Sequence, residues 1–228
     1  QLEMLDELVK TGKPVVGVLF NGRPLALGNA VTKVTALLEA WHLGTESGNA
    51  VADILFGDYN PTGRLCVSFP YVSSQLPLYY NHPNTGRPAD ENVIWTSKYR
   101  DVPVKPLFPF GWGLSFTDYR YKNISAQINN DVLYVSVDVA NTGKAAGTET
   151  VQLYIRRRNA LRARPVRELK GYKKIFLLPG EQKTVTIGIT RRETGYYDAT
   201  ANFIDDESEL DIWMAHDSSC GEHIKVTF

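Results

Sequence analysis

The sequence predicts a chain of two structural classes, an α/β segment followed by an all-β domain. Up to about Ser68, continuous apolar runs alternate with helical patterns, which is typical of buried parallel strands joined by helices. From about Tyr119 onward, apolar and polar residues alternate instead, which is the period of half-buried antiparallel strands. We therefore place the α/β segment at residues 1–70, a connecting segment at 71–118 and the all-β domain at 119–228.

The α/β segment opens with a helical pattern that ends at Gly12. Its apolar residues share one helical face, which we expect to be buried: Leu2, Leu5, Leu8 and Val9. The apolar run Val15–Phe20 then predicts a strand buried on both faces. Because two or three parallel strands cannot cover both faces of a doubly wound sheet, we expect the rest of this sheet to precede Gln1.

The second half of this segment contains one ambiguous run and one clear helix. Val34–Trp41 fits a strand or a helix equally well. Thr45–Phe56 predicts a helix capped by Gly57, and its inner face comprises Ala50, Val51, Ile54 and Leu55. A turn follows, and Arg64–Pro70 predicts a closing strand.

The connecting segment is rich in proline, asparagine and aromatic residues. A connection of this length inside a compact protein is usually functional or a linker. Its aromatic side chains favour a strap that packs one domain onto the other: Tyr79, Tyr80, Trp95, Tyr99, Phe108, Phe110, Trp112 and Phe116.

The all-β domain shows four alternating strands separated by turn signals. The apolar positions are Leu133, Val135, Val137 and Val139, then Val151, Leu153 and Ile155, then Val185, Ile187 and Ile189, then Leu210, Ile212 and Met214. The turn signals are Asn141–Gly143, Leu178–Glu181 and Asp205-Asp206. Short strands at this spacing predict an immunoglobulin or fibronectin type of β-sandwich, and the absence of a cysteine pair within the domain favours the fibronectin type III-like form.

Composition excludes several classes of function. The formal net charge is +0, so the basic excess of a nucleic-acid-binding protein is missing. The longest apolar stretch has six residues, too few for a membrane span. The two cysteines, Cys66 and Cys220, are predicted to be free thiols, and the four histidines show no metal-ligand spacing.

One loop offers groups suited to a sugar. Asn84 and Arg87 in the NTGRP turn supply an amide and a guanidinium, and Tyr80 supplies an aromatic face for a pyranose ring. The alternative is a structural turn in which Arg87 makes a salt bridge. The FGWG stretch, Phe110–Gly113, is interpreted as a turn between packed aromatic residues because no helix start follows it.

No catalytic pair can be chosen among the many carboxylates, because glycoside hydrolysis depends on a separation that the sequence does not contain. Five stretches carry a resemblance instead: GKPVVGVLFNGRPLAL, AWHLGTESGNAVADILFGDYNPTGRLCVSFP, LPLYYNHPNTGRP, FPFGWGLSFTDY and RPVRELKGYKKIFLLPGEQKTVTI. In this order they resemble the C-terminal part of family 3 glycoside hydrolases, in particular the periplasmic β-glucosidases of bacteria. Cys66 departs from the proline usual in such sequences.

The resemblance implies the C-terminal portion of an α/β sandwich domain followed by a fibronectin type III-like domain. It places the aspartate nucleophile in an upstream barrel domain and the glutamate acid/base before Gln1, so no catalytic residue is expected in this chain. It further implies a retaining exo-acting β-glucosidase as the parent protein, with a β-glucoside or oligosaccharide as its substrate, no metal or organic cofactor, and a periplasmic or secreted location. The oligomeric state is left open, a homodimer included.

A second hypothesis belongs to another functional class. Fibronectin-like sandwiches commonly serve adhesion, and the aromatic connecting segment could hold a saccharide by itself. The chain would then be a stand-alone carbohydrate-binding or interaction module.

Overall fold

The computed structural model describes residues 1–205 and 208–228. The α/β segment contains three helices and two strands: α1 (Leu2–Lys10), β1 (Val16–Leu19), α2 (Ala30–Lys33), β2 (Ala36–Glu39) and α3 (Ser47–Phe56). The strands β1 and β2 are parallel, with Val16 opposite Ala36. The run left ambiguous by its sequence is therefore a strand, and α3 ends as predicted at Gly57, whose φ of 85° is left-handed.

The two predicted helices and the first strand form where the sequence predicts them, but their apolar faces are not buried as predicted. Val16 is exposed, and the rest of β1 is only half-buried. Leu2 and Leu8 of α1 and Leu55 of α3 are exposed, and neither helix contains a buried residue. The physical reason is that the two described strands offer too little sheet surface to cover these faces.

The predicted closing strand Arg64–Pro70 is also wrong, because this stretch runs as extended loop. Its backbone pairs with the connecting segment instead of the parallel sheet. Leu65 N–H donates to the carbonyl of Trp112 at 2.8 Å, and Phe69 N–H donates to the carbonyl of Phe108 at 2.8 Å. The stretch therefore fastens the connecting segment rather than completing the sheet.

The all-β domain is a sandwich of two antiparallel sheets, as predicted. One sheet contains three strands in the order β3 (Tyr119–Asn129), β4 (Val132–Asn141), β7 (Gln182–Thr190). The other contains four, in the order β11 (His223–Thr227), β10 (Glu209–Ala215), β5 (Gly147–Arg157), β6 (Glu168–Leu177). A short helix α4 (Arg191–Thr194) and a small hairpin, β8 (Tyr196–Tyr197) and β9 (Phe203–Ile204), follow β7.

The core of the sandwich matches the sequence pattern. Twelve of the thirteen predicted inward positions are buried, and the remaining one, Ile187, packs against the core. Turns follow β4 and β6 at the predicted signals, while Asp206 of the third signal lies outside the described residues. The strands β3, β6 and β11 and the short strands β8 and β9 were not predicted.

The connecting segment has little regular structure apart from a short 3-10 turn, Ser73–Gln75. The Gln75 side chain is buried and holds two parts of the segment together. Its oxygen accepts the Tyr71 N–H at 2.6 Å, and its nitrogen donates to the carbonyl of Pro103 at 2.7 Å. No helix in the described parts of the chain is long and apolar enough to cross a membrane.

Candidate functional site

Tyr80, the aromatic member of the predicted saccharide site, lies against the sandwich. Its ring stacks on Phe110 with the centroids 4.1 Å apart, and it meets the Tyr154 ring edge-on. The hydroxyl accepts a hydrogen bond from Leu169 N–H at 3.2 Å. One face of the Tyr80 ring is therefore used in packing, and the residue fixes the path of the chain that leads to the NTGRP turn.

The start of that turn is pinned to the loop before β6. Val166 N–H donates to the carbonyl of His82 at 3.0 Å, and Asn84 N–H donates to the carbonyl of Arg164 at 3.3 Å. The side chains of Asn84 and Arg87 remain exposed. The structure thus anchors Tyr80 and Asn84 on the same stretch of the sandwich, while Arg87 lies beyond the anchored part.

Residues 90–104 form a compact loop that is held by its own hydrogen bonds. Asp90 N–H donates to the Thr96 hydroxyl at 3.0 Å, and the Glu91 carboxylate accepts Val104 N–H at 2.6 Å. Trp95 at the tip is 86% exposed. An open cleft of about 860 Å³ lies beside this loop and contains Ile94 and Tyr99 in its wall. Some aromatic residues of the connecting segment, such as Tyr80 and Phe110, therefore pack against each other, whereas others, such as Trp95, face solvent.

The two halves of the chain meet around one buried carboxylate, which the sequence analysis missed. Glu149 on β5 is fully buried, and the Arg64 guanidinium donates to its Oε2 at 2.7 Å. The Tyr121 hydroxyl donates to Oε1 at 2.8 Å, and His216 Nδ1 lies 3.0 Å from the same oxygen. Burial, and then the nearby Glu149 charge, raise the pKa of Tyr121 well above its ordinary value, so its hydroxyl remains a donor.

Asn60 makes a second connection across the same junction. Its amide nitrogen donates to the carbonyl of Ala146 at 2.9 Å, and its oxygen accepts from Ser115 Oγ and Phe116 N–H at 2.9 Å each. The neighbouring Gly147 leaves room for this contact, because a Cβ there would lie 2.6 Å from the Asn60 amide nitrogen.

The FGWG turn is a third connection, and it is the structural turn that the sequence predicts. Gly111 has a φ of 83°, and its carbonyl accepts a hydrogen bond from Gln152 Nε2 at 3.1 Å. The Tyr154 hydroxyl donates to the Gln152 oxygen at 2.6 Å, and burial raises the pKa of Tyr154. Backbone of the connecting segment is thus hydrogen-bonded to side chains of the central strand β5.

The described residues include no group of three or more His, Cys, Asp or Glu side chains placed to hold a metal ion. Both cysteines are free, as predicted. Glu39, at the carboxyl end of β2, accepts the Trp41 N–H at 2.9 Å, and partial burial raises its pKa. The clearest feature of the junction is therefore the set of contacts that join the two halves of the chain.

The family model for the glycosyl hydrolase family 3 C-terminal domain matches residues 1–116. The chain belongs to this family. A model for the fibronectin type III-like domain matches residues 149–218.

The chain is also similar in sequence to proteins that are named as glycosidases. The chain is 42% identical over 225 residues to a periplasmic β-glucosidase of Salmonella typhimurium, covering 96% of this chain and 29% of the relative. It is 44% identical over 193 residues to a β-xylosidase of Formosa agariphila, covering 82% of this chain and 26% of the relative. The chain thus spans less than a third of the length of these relatives.

Solved structures of β-glucosidases share the fold of this chain. A β-glucosidase from Listeria innocua in complex with gluconolactone superposes with a TM-score of 0.92 at 35% identity, over 99% of this chain and 32% of that one. The β-glucosidase EmGH1 from Erythrobacter marinus gives 0.91 at 38% identity, over 99% of this chain and 29% of that one.

Proposed function

We propose that this chain is the C-terminal structural part of a retaining, exo-acting β-glycosidase of the β-glucosidase type, and that both catalytic carboxylates lie outside it. The main support is that the family 3 relatives are three to four times longer than the segment they share with this chain. The parent enzyme would remove terminal non-reducing β-linked sugars.

The contacts of the buried carboxylates support the proposal that both catalytic carboxylates lie outside this chain. Within the described residues the buried acidic side chains are Glu149, Asp211 and Asp217. Asp211 accepts from Arg158 Nε at 2.8 Å, and Asp217 accepts from the backbone and hydroxyl of Ser219. Together with the Arg64–Glu149 pair, these contacts commit each buried carboxylate to a structural partner.

Hydrolysis in the parent enzyme would follow double displacement. One upstream carboxylate attacks the anomeric carbon, and a second carboxylic acid protonates the leaving oxygen. The resulting glycosyl-enzyme is then hydrolysed by water, which the second residue activates as a base. The role of this chain is to complete the α/β sandwich domain and to brace it with the fibronectin-like domain through the Glu149 junction. No cofactor takes part in this scheme.

The predicted substrate contacts remain part of the proposal. Asn84 and Arg87 present an exposed amide and guanidinium, which suit the hydroxyl groups of a sugar bound in the parent enzyme. Tyr80 would contribute mainly by fixing the loop, since one face of its ring already packs on Phe110. Replacing Arg87 by alanine in the full-length enzyme should raise KM for a disaccharide more than for an aryl glucoside.

A periplasmic location is proposed from the Salmonella relative, which is named a periplasmic β-glucosidase, and a secreted one is the alternative. A homodimer is a further proposal. It is tested by light scattering during size-exclusion chromatography of the full-length protein, where a monomer mass at all concentrations would contradict it.

Activity assays test the main proposal. The purified chain should release no product from an aryl β-glucoside. The longer protein, expressed with the coding sequence that precedes Gln1, should be active. Turnover by the chain alone that persists through purification would overturn the statement that both carboxylates lie outside. An upstream region without a barrel-sized coding sequence would overturn the assignment to an enzyme and favour a stand-alone saccharide-binding or interaction module.

A further inference from the structure

A second cleft lies at the end of the sandwich that is remote from the domain junction. It has a volume of about 660 Å³ and lies between the start of β4, the end of β7 and the hairpin β8–β9. The strand β4 runs from this cleft to Asn141, which accepts a hydrogen bond from Thr117 of the connecting segment. At roughly 3.3 Å per residue, ten residues of strand separate the two ends by about 30 Å.

Two exposed aromatic rings form one wall of the cleft. Tyr197 is 61% and Phe203 is 41% exposed, and their rings meet edge-on with centroids 5.3 Å apart. The preceding Tyr196 is buried and anchors the hairpin, and its hydroxyl accepts from Leu161 N–H at 3.1 Å. The two strands of the hairpin therefore turn one aromatic side chain inward and present two to solvent.

The hairpin is built to hold these rings in place. Phe203 packs directly on Gly195, where a Cβ would lie 2.2 Å from the ring. The Asp198 carboxylate accepts the backbone N–H groups of Thr200 and Asn202 at 2.8 and 2.9 Å, which closes the turn. Since the turn is fixed by its own hydrogen bonds, the rings are preorganised and lose little freedom on binding a ligand.

The rest of the wall is polar and carries both signs of charge. Asp131 and Asp205 provide carboxylates, and Arg191 and Arg192 provide guanidinium groups. Arg191 is positioned by Asp131, 3.6 Å away, and by the buried Phe228 ring beneath it. Arg192 is exposed and makes no ion pair with any residue in the described ranges 1–205 and 208–228.

This combination matches the chemistry of a neutral saccharide. Aromatic rings cover the apolar face of a pyranose, while guanidinium donors and carboxylate acceptors meet its hydroxyl groups. A purely anionic ligand would be repelled by the two carboxylates, and a purely apolar one would leave four charged groups without water. The volume of about 660 Å³ lies in the range of small-molecule sites, and the cleft is open to solvent.

We propose that this cleft is a second saccharide-binding site, which takes a β-linked oligosaccharide and does not take part in hydrolysis. The choice of a β-linked chain rests on the proposed function, whereas the site itself rests on the cleft. Its distance from the junction means that a polymeric substrate could be held by the sandwich while its end is processed elsewhere.

Isothermal titration of the purified chain with laminarihexaose, cellohexaose and xylohexaose tests the proposal. We expect at least one hexasaccharide to bind with a Kd of about 1 mM or tighter. Replacing Tyr197 by alanine should weaken binding by about tenfold or more, and the surface change Arg192→Ala by about threefold. Tyr172→Ala, at an equally exposed tyrosine on β6, is the matched control and should leave the Kd unchanged.

Two results would overturn the proposal. One is the absence of binding of all three hexasaccharides at tenfold the expected Kd. The other is binding that Arg87→Ala abolishes and Tyr197→Ala leaves intact, which would place the saccharide at the NTGRP turn. Circular dichroism of each variant shows whether the sandwich is folded. Neither result depends on whether the parent protein is an enzyme, so failure of the site and failure of the proposed function are separable.

Discussion

Glu149 is a carboxylate without access to water, and donors from three separate parts of the chain surround it. A buried charge of this kind is tolerated only when it is paired and hydrogen-bonded. Arg64 comes from the α/β segment, whereas Tyr121 and His216 come from the sandwich. The ion pair therefore works as a positioning device between domains, and its energetic value appears when one partner is removed.

Arg64→Ala should lower the free energy of unfolding by about 3–5 kcal/mol, because it leaves the Glu149 charge buried without its cation. Urea titration followed by tryptophan fluorescence measures this loss. Arg192→Ala removes an exposed guanidinium and should change stability by less than about 0.5 kcal/mol. Combining Arg64→Met with Glu149→Leu should recover part of the loss, because the buried charge is removed while the Tyr121 hydroxyl loses its acceptor. Equal stability of Arg64→Ala and the unmodified chain would show that the pair is not structurally important.

Gly111 and Gly48 make a matched test of the FGWG turn. Gly111→Ala should cost about 1–3 kcal/mol, because the backbone is left-handed and the new Cβ would lie 2.3 Å from the Gln152 oxygen. Gly48 lies in α3 with open space around it, so Gly48→Ala should stabilise the chain by up to about 1 kcal/mol. The comparison is made by thermal unfolding, and a harmless Gly111→Ala would contradict the described turn.

At the scale of elements, β4 and β3 show why some strands could be predicted and others could not. In β4 every second residue from Leu133 to Val139 is buried, so the sequence period equals the structural one. In β3 the register shifts between Lys122 and Ser125, where Asn123 has a φ of 56°. The inward positions change from Tyr121 to Ile124, an odd spacing that hides the alternation.

The short helix α4 gives a prediction about pH. Glu193 accepts hydrogen bonds from the backbone N–H and the hydroxyl of Thr190 at 2.7 Å each. These bonds lower the pKa of Glu193 from its ordinary 4.5. Since the folded pKa is the lower one, the stabilisation is complete above about pH 4.5 and is lost as the pH falls through the folded pKa.

The variant Glu193→Gln isolates this contribution. We expect the difference in unfolding free energy between the unmodified chain and the variant to be about 0.5–1 kcal/mol at pH 7 and to shrink towards pH 3. Urea titrations across this range provide the measurement. A stability difference that grows as the pH falls would contradict this prediction.

At the scale of the whole molecule, the fold could be predicted from local patterns, but the junction could not. Arg64 and Glu149 are 85 residues apart, and nothing in either neighbourhood marks the two as partners. The NTGRP turn could be proposed as a saccharide contact because its polar groups are adjacent in sequence. Whether the apolar helical faces of the α/β segment are buried depends on the number of strands in the sheet. A local sequence pattern does not contain this number.

Limited proteolysis tests whether the junction holds the two halves together. Trypsin should cut first in the exposed loop 90–104, at Lys98 or Arg100, because its fold rests on a few local hydrogen bonds. The two fragments should nevertheless elute together in size-exclusion chromatography, since the Arg64–Glu149 and Asn60–Ala146 contacts join them and remain. The same cut in Arg64→Ala should release them more readily. Separation of the unmodified fragments would mean that the continuous chain is the main connection.

The strand order of the larger sheet places β6 at its edge, so one side of this strand has no partner strand among the described residues. Tyr172 and Phe176 on this strand are exposed, which makes it a template for edge-to-edge pairing between copies. Lys173 and Lys174 are exposed on the same strand and carry positive charge, whereas Lys170 is paired with Glu168 at 2.8 Å. The two exposed ammonium groups oppose aggregation, so their acetylation would make β6 the first place where copies of the chain adhere.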